Sequence, residues 1–394
     1  MPHHNSVLHD LLKPLSWGLL DRLAARHGSD ADGRDLTTRG HLVALLYAQL
    51  SGATSLREIE AGLRSHAAGL YHLGAAAVAR STLAEANRHR SAAVFVDLFA
   101  ALAAQLSSKA ARREFDQVVR LIDATPLRLS DLSRHWAGFS AGVCGAKAHV
   151  IYDPDADRPL YAAVTPANVN DITAAKAMPI EPGATYVFDL GYYDYSWWAK
   201  LHHAGCRIVT RFKSNTPLKQ ATDRPLPPGT TPLSDRVGYL PGRQAGSRKN
   251  PMADAVREIR VKTEQGKTLR LLTNDLDASA QVIADLYKRR WAIELFFRWI
   301  KQTLRIRHFF GTSDNAVRIQ IAVAFIAFLL LRLAQQACPI TKSPLTFARL
   351  VRSNLMHRRN IDRLLAPEPT HRPDPRQTRF DFAPPSLTLR RSLA

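Results

Sequence analysis

Through the first 110 residues, apolar positions recur at helical spacing in LSWGLLDRLAARHG, RGHLVALLYAQLSG and SLREIEAGLRSH, with Gly or Ser between them. That spacing puts the apolar side chains on one face of each helix. Thr82 and Glu85 are placed as a capping box and predict the start of one long helix over STLAEANRHRSAAVFVDLFAALAAQL.

The period changes near residue 115. QVVRLIDATPLRL is a β-branched run that stops at Asp123, and KAHVIYDPDADRPLYAAVTPAN reads as two strands joined by a turn at 154–158. TYVFDLGYYDY is a further apolar run that stops at Asp189; YSWWAKLHHAG then reads as a helix and CRIVTRFKS as a strand. Strand, hairpin, strand, helix, strand is a mixed α/β core. Between 214 and 275 Pro, Gly, Thr and Asp come first, and a hairpin turning at Gln265-Gly266 follows, so this stretch reads as a β-rich insertion. A helix is predicted over 287–307 and an apolar one near 319–335. The run Ile321 to Leu331 is too short to span a bilayer and predicts a buried helix. Three units result: a helical N-terminal domain at 1–110, an α/β domain at 115–335, and a C-terminal helical and basic, Pro-rich tail at 336–394. Beyond about 366 the tail is expected to be disordered or loosely held.

Charge narrows the partners. There are 54 Lys and Arg against 34 Asp and Glu, a net charge of +20. The excess is spread through folded-looking sequence rather than packed into a tail, which favours a polyanion bound through phosphate contacts over a membrane surface. The N-terminal helices, one carrying Arg88, His89 and Arg90, read either as a helix-turn-helix-like DNA-binding module or as a plain helical bundle. Cys144, Cys206 and Cys338 lie far apart without a CxxC pair, so neither a zinc site nor a disulfide framework is expected. No basic n-region precedes a long apolar stretch, and the expected location is the cytoplasm, at the nucleoid.

Tyr287, Arg290, Glu294 and Lys301 fall within about 60° of one another on a helical wheel, along a stripe about 21 Å long. Ile293, Phe297, Ile300 and Leu304 form a second stripe beside it, suited to packing. A carboxylate bracketed by Arg, Lys and Tyr suits a metal ion bound to a phosphodiester; it also suits plain i,i+4 pairing of Arg290 with Glu294. Asp123 and Asp189 each end an apolar run. The carboxyl ends of adjacent parallel strands converge on one crevice. If these two strands are neighbours, the two Asp and Glu294 offer hard oxygen ligands for Mg²⁺ or Mn²⁺. Taken singly, each Asp could instead cap a turn. Asp116, Asp153, Asp155, Asp171 and Asp194 are rivals in loops or polar stretches.

Tyr287-x2-Arg290-x3-Glu294-x6-Lys301, with the contexts LIDATP and VFDLGYYDY around the two Asp, resembles the DDE transposases of bacterial insertion sequences, specifically the insertion sequence 4 family and its Tyr-Arg-Glu-Lys motif. The resemblance runs from about 115 to 335. It implies a ribonuclease H-like catalytic core with a β-rich insertion, preceded by an all-helical N-terminal domain. It implies Mg²⁺-dependent nicking at transposon ends, a hairpin intermediate, and strand transfer by the freed 3′-OH. By position it makes Asp123, Asp189 and Glu294 the metal ligands and sets Tyr287, Arg290 and Lys301 on DNA phosphates, with Trp291 helping to hold a distorted end. Arg298, Arg211 and Lys213 are further candidates for DNA contact, as are Lys147, Arg243, Arg248 and Lys249. The partners implied are double-stranded DNA, as terminal inverted repeats and target, and a second copy of the chain in the DNA complex. Two other readings stay open: a ribonuclease H-fold nuclease without strand transfer, and a non-catalytic DNA-binding protein.

Overall fold

The computed structural model describes residues 5–31, 36–106, 117–140, 143–243, 249–304, 306, 308–338, 342–361 and 364. The Pro-rich tail beyond 366, Asp116 and Arg248 lie outside them.

The N-terminal segment folds into helices α1 (Val7–Leu12), α2 (Trp17–Arg26), α3 (Thr38–Ser51), α4 (Leu56–Ser65), α5 (Ala67–Leu70), α6 (Arg80–His89) and α7 (Ala92–Gln105). Ser6, Ser16, Thr37, Ser55 and Ser91 cap α1, α2, α3, α4 and α7, each accepting from a first-turn N–H. The long helix expected from Thr82 is two helices. Arg90 is extended (ψ 134°), and Ser91 starts α7. Thr82 lies inside α6, which begins after Ala79 with no side-chain cap, and Glu85 pairs with His89 at 3.1 Å rather than closing a capping box.

The sheet strands are β1 (Val119–Leu129), β2 (Gly138–Ser140, after the short α8, Arg134–Ala137), β3 (Val143–Asp153) and β4 (Arg158–Pro166). After α9 (Asp171–Ala175) come β5 (Thr185–Val187), α10 (Tyr195–His203) and β6 (Arg207–Arg211). The stretch read as an insertion supplies β7 (Lys219–Asp223), β8 (Pro232–Tyr239), β9 (Val256–Lys262) and β10 (Thr268–Thr273), the last two joined at Gly266 with φ +80°. All ten form one sheet in the order β2-β3-β1-β5-β6-β10-β9-β8-β7, with β4 also paired to β3. β1, β5 and β6 are parallel; β3 and β4 run antiparallel beside β1. The insertion therefore widens the sheet, because β10 pairs antiparallel with the edge of β6.

Alternation along the strands gives the sheet two apolar faces. Leu121, Val150, Val187 and Val209 face one core, shared with the N-terminal helices and with α11 (Ala280–Arg289), α12 (Trp291–Thr303) and α13 (Asp314–Ala337). Ile122, Ile151, Tyr186 and Ile208 face the other, with Trp198 and Leu201 of α10. The apolar helix is longer than the run Ile321–Leu331 suggested. At 24 residues α13 is long enough to cross a membrane, but 83% of its most apolar window is buried inside the protein. It packs against α7 and α3, with Phe325 5.6 Å from Phe99, ring to ring. A last helix, α14 (Pro344–Asn354), leans on α13 and α3. A mixed α/β core with this parallel centre is consistent with a ribonuclease H-like fold.

Candidate active site

Asp123 is not at the end of a strand: β1 continues to Leu129, held by antiparallel pairing with β3. What stops near Asp123 is the parallel pairing, whose last partners are Leu121 and Val187. Two residues further along each chain stand Asp123 and Asp189. The shared register thus brings both to the point where β1 and β5 separate, the crevice expected of parallel strands. The inferred neighbour relation holds, though the reason given for Asp123 does not.

Asp189 leads a single helical turn, and its Oδ1 accepts from Gly191 N–H at 2.8 Å. Gly191 leaves little room for a side chain: a Cβ there would stand 3.0 Å from Asp189 Oδ1 and 3.2 Å from Asp171 Oδ2, so both carboxylates would have to give by a few tenths of an ångström. Asp123 Oδ1 accepts from Ala124 N–H at 2.8 Å, and Oδ2 receives Arg290 Nη1 at 3.3 Å. Burial pushes the Asp123 carboxyl up to about 6; the Ala124 N–H and Arg290 oppose that rise, while Asp189 and Glu294 add to it.

The helix expected to run unbroken through 287–307 is interrupted. α11 stops at Arg289, α12 begins at Trp291, and Arg290 is the hinge, with Arg290 N–H bonding to Tyr287 O at 3.1 Å and Ile293 N–H to Arg290 O at 3.3 Å. These are three-residue closures, tighter than an α-turn. Tyr287 and Glu294 therefore belong to different helices, and α12 ends at Thr303. Breaking the helix leaves the cluster intact. The Arg290 guanidinium donates to Glu294 through Nη2 as well as to Asp123, bridging the two carboxylates. Tyr287 lies with its ring 6.0 Å from that guanidinium; burial raises its hydroxyl pKa, and Arg290 and Arg211 pull it back. Lys301 shares a cleft of about 330 Å³ with Asp123, Glu294 and Arg298.

The remaining predicted contacts sort by place. Arg298 lies 5.7 Å from the ring of exposed Trp291, a cation–π pair on the outer face of α12. Lys213 stands 4.3 Å over the ring of Tyr193. Arg243 and Lys249 face each other across an isolated bridge in the insertion, on the side of the sheet that leads away from β1.

Sequence reading passed over part of this neighbourhood. Asp171, set aside as a loop residue, starts α9 and approaches Asp189 across Gly191, and it takes Lys147 Nζ at 2.9 Å. His149 is fully buried, 4.0 Å from Asp171, and burial pushes its imidazole down to about 4. Tyr192 is fully buried and its hydroxyl has no hydrogen-bond partner; burial above all, and then Asp123, Asp171 and Asp189, oppose its ionisation. The turn itself was readable in Asp189-Leu190-Gly191, but nothing in spacing alone tied Asp171 to it. The donors at the site are all oxygen, which fits a hard divalent cation. Among the described residues no three His, Cys, Asp or Glu side chains already form a metal-binding group, and Arg290 supplies positive charge between Asp123 and Glu294.

Residues 114–330 match the transposase DDE domain family. The chain belongs to the DDE transposases. Residues 3–76 match a domain of unknown function. The transposase is 44% identical over 293 residues to a putative transposase, y4zB, of Sinorhizobium fredii, covering 73% of this chain and 81% of that one. It is 30% identical over 270 residues to a probable transposase for insertion sequence element IS5377 of Geobacillus stearothermophilus, covering 65% of this chain and 68% of that one. A cryo-EM structure of a piggyBac transposase synaptic complex with hairpin DNA aligns over 93% of this chain and 83% of that one, at TM-score 0.46 and 11% identity. Family membership makes the protein a DNA transposase, an enzyme that cuts DNA.

Proposed function

We propose that this transposase works by cut-and-paste, in the manner of the insertion sequence 4 family: it binds the ends of its element, cuts them, and joins the freed 3′-OH to target DNA. The observation that carries the reading is the meeting of Asp123 and Glu294 on one guanidinium, at the point where the strands leading to Asp123 and Asp189 separate. In this reading Asp123, Asp189 and Glu294 hold Mg²⁺ or Mn²⁺. Divalent ions, when bound, activate the attacking oxygen and neutralise charge on the leaving one. Arg290, released from the carboxylates, takes a phosphate oxygen in the bidentate way open to guanidinium. Tyr287 and Lys301 hold phosphates to either side of it, and Trp291, half exposed, stacks on a distorted end. Two ends must be held together for joining, so the DNA complex contains two copies of the chain.

The deciding experiment supplies purified protein with duplexes carrying the element's ends, Mg²⁺ and a target plasmid. Joined products are expected. Cutting without joining of pre-cut ends would leave a nuclease. The strong positive charge sets a second expectation: end binding weakens steeply with salt, losing on the order of 10³-fold or more between 50 and 200 mM if roughly six phosphates are engaged. Salt-insensitive binding would remove phosphate contact from the account. A third concerns Gly191→Ala. The added methyl pushes the Asp189 carboxylate aside by a few tenths of an ångström, and cleavage should fall, though by less than the roughly 10²-fold that a full ångström of misplacement costs. Circular dichroism should stay unchanged. Full activity would show that the position of Asp189 is not critical to cleavage.

A further inference from the structure

The cleft at the carboxylates does not end at Lys301. That residue also walls a larger cleft, about 620 Å³, together with Arg128 and His308. This second cleft shares Thr54 and Phe309 with a third, about 530 Å³, walled by Arg57 and Arg80. Common wall residues set the three clefts side by side, as one candidate trough. It starts at Asp123 and Glu294, passes the end of β1, and finishes where α4 and α6 begin.

Its charge is uneven in a telling way. Arg57, Arg80 and Arg128 are all exposed and pair with no carboxylate among the described residues, while Arg298 lies against the Trp291 ring. Arginines on the insertion are largely committed: Arg257 to Asp235, Arg260 and Arg270 to Glu258, Arg236 to Asp223. Glu58 also lies here, but Thr54 donates to both of its oxygens at 2.8 Å, and His308 sits beside it. A groove lined by uncommitted cations on both walls attracts a phosphate backbone and gains from counterion release. α6 adds a first turn without a side-chain cap at the far end.

We propose that this trough is the path of the DNA end beyond the cut, its backbone running from the carboxylates past Lys301 and Arg128 to Arg57 and Arg80. This rests on the proposed transposase reading and extends it, since it assigns a DNA-contact role to the starts of two N-terminal helices. The contact would be to backbone and independent of sequence.

The test compares fluorescein-labelled random duplexes of about 30 and about 8 base pairs, at 3.4 Å per step, across a salt series. The proteins are the full-length wild type, the double variant Arg57→Gln/Arg80→Gln, and a control, Arg22→Gln/Lys200→Gln, two exposed cations outside the lining of all three clefts. The double variant should bind the long duplex more weakly, with the slope of log affinity against log salt reduced by about 2. The short duplex, about 27 Å long, engages fewer phosphates at once and should be affected less. The control should match wild type. An unchanged slope in the double variant overturns the trough, and so does an equal loss in the control, which would mean bulk charge alone. Binding is read without cleavage. If wild type binds through the trough but joins no ends, the path stands and the cut-and-paste reading falls.

Discussion

Glu294→Gln is expected to abolish Mg²⁺-dependent cleavage while DNA binding is kept or tightened. The substitution preserves size, and its carbonyl oxygen can still accept from Arg290, so the hinge between α11 and α12 should survive. On the proposed metal assignment, what is lost is one ligand charge. Losing a group that merely orients a ligand costs about 10- to 100-fold, so loss of a ligand should cost at least about 100-fold in cleavage. Binding should not suffer, because a negative charge facing phosphate has gone. Lys301→Ala should behave differently. Lys301 shares the cleft with Asp123 and Glu294 and also opens onto the next one, so its loss weakens the grip at the cut end and slows cutting. One variant binds without cutting; the other binds poorly and cuts slowly. Parallel gel-shift and cleavage assays at defined ends separate them. Cleavage by Glu294→Gln at the wild-type rate would make Glu294 a structural partner of Arg290 and nothing more.

Much of this site was legible in the chain because its chemistry travels in short segments. The spacing from Tyr287 to Lys301 kept those residues within reach of one another, even though the helix carrying them breaks at Arg290. A break costs little there: the wheel argument needs the side chains to converge, and a tight hinge preserves that. The strand reading placed Asp189 just past the end of β5, as the structure does, but wrongly ended β1 at Asp123. A run that turns polar need not end a strand, since β1 continues by pairing with β3 alone. Long-range features were not legible. Nothing in the spacing of Asp171 or Arg57 reveals that one meets Asp189 across Gly191 and the other faces a trough reaching Lys301. Nor does the composition of 214–275 reveal that its strands extend the central sheet. Such contacts are set by tertiary packing, which local periodicity does not encode.

Asp123→Asn is expected to stabilise the metal-free protein at pH 8, and the gain should fade toward pH 4. Asp123 sits with its carboxyl raised from 3.8 to about 6, chiefly by burial. The native state thus keeps this proton to higher pH than the unfolded chain does. Its contribution is most favourable below the unfolded value, declines as pH rises from about 4 to about 6, and is fully lost above that. At pH 8 the ionised carboxylate costs on the order of 3 kcal/mol, with the opposing effect of Arg290 already included. Asparagine carries no such charge, so denaturant midpoints measured from pH 4 to pH 8 should diverge in favour of the variant as pH rises. Mg²⁺ should reverse the order at pH 8. A cation bound only to the native state stabilises it by mass action, and on the proposed assignment only the wild type keeps the full set of ligands. The design of the site then has a physical reading: a carboxylate kept costly in the free protein is one that a cation can relieve. If Asp123→Asn is instead less stable than wild type at pH 8, Asp123 is there to anchor Arg290, and the metal assignment loses its first ligand.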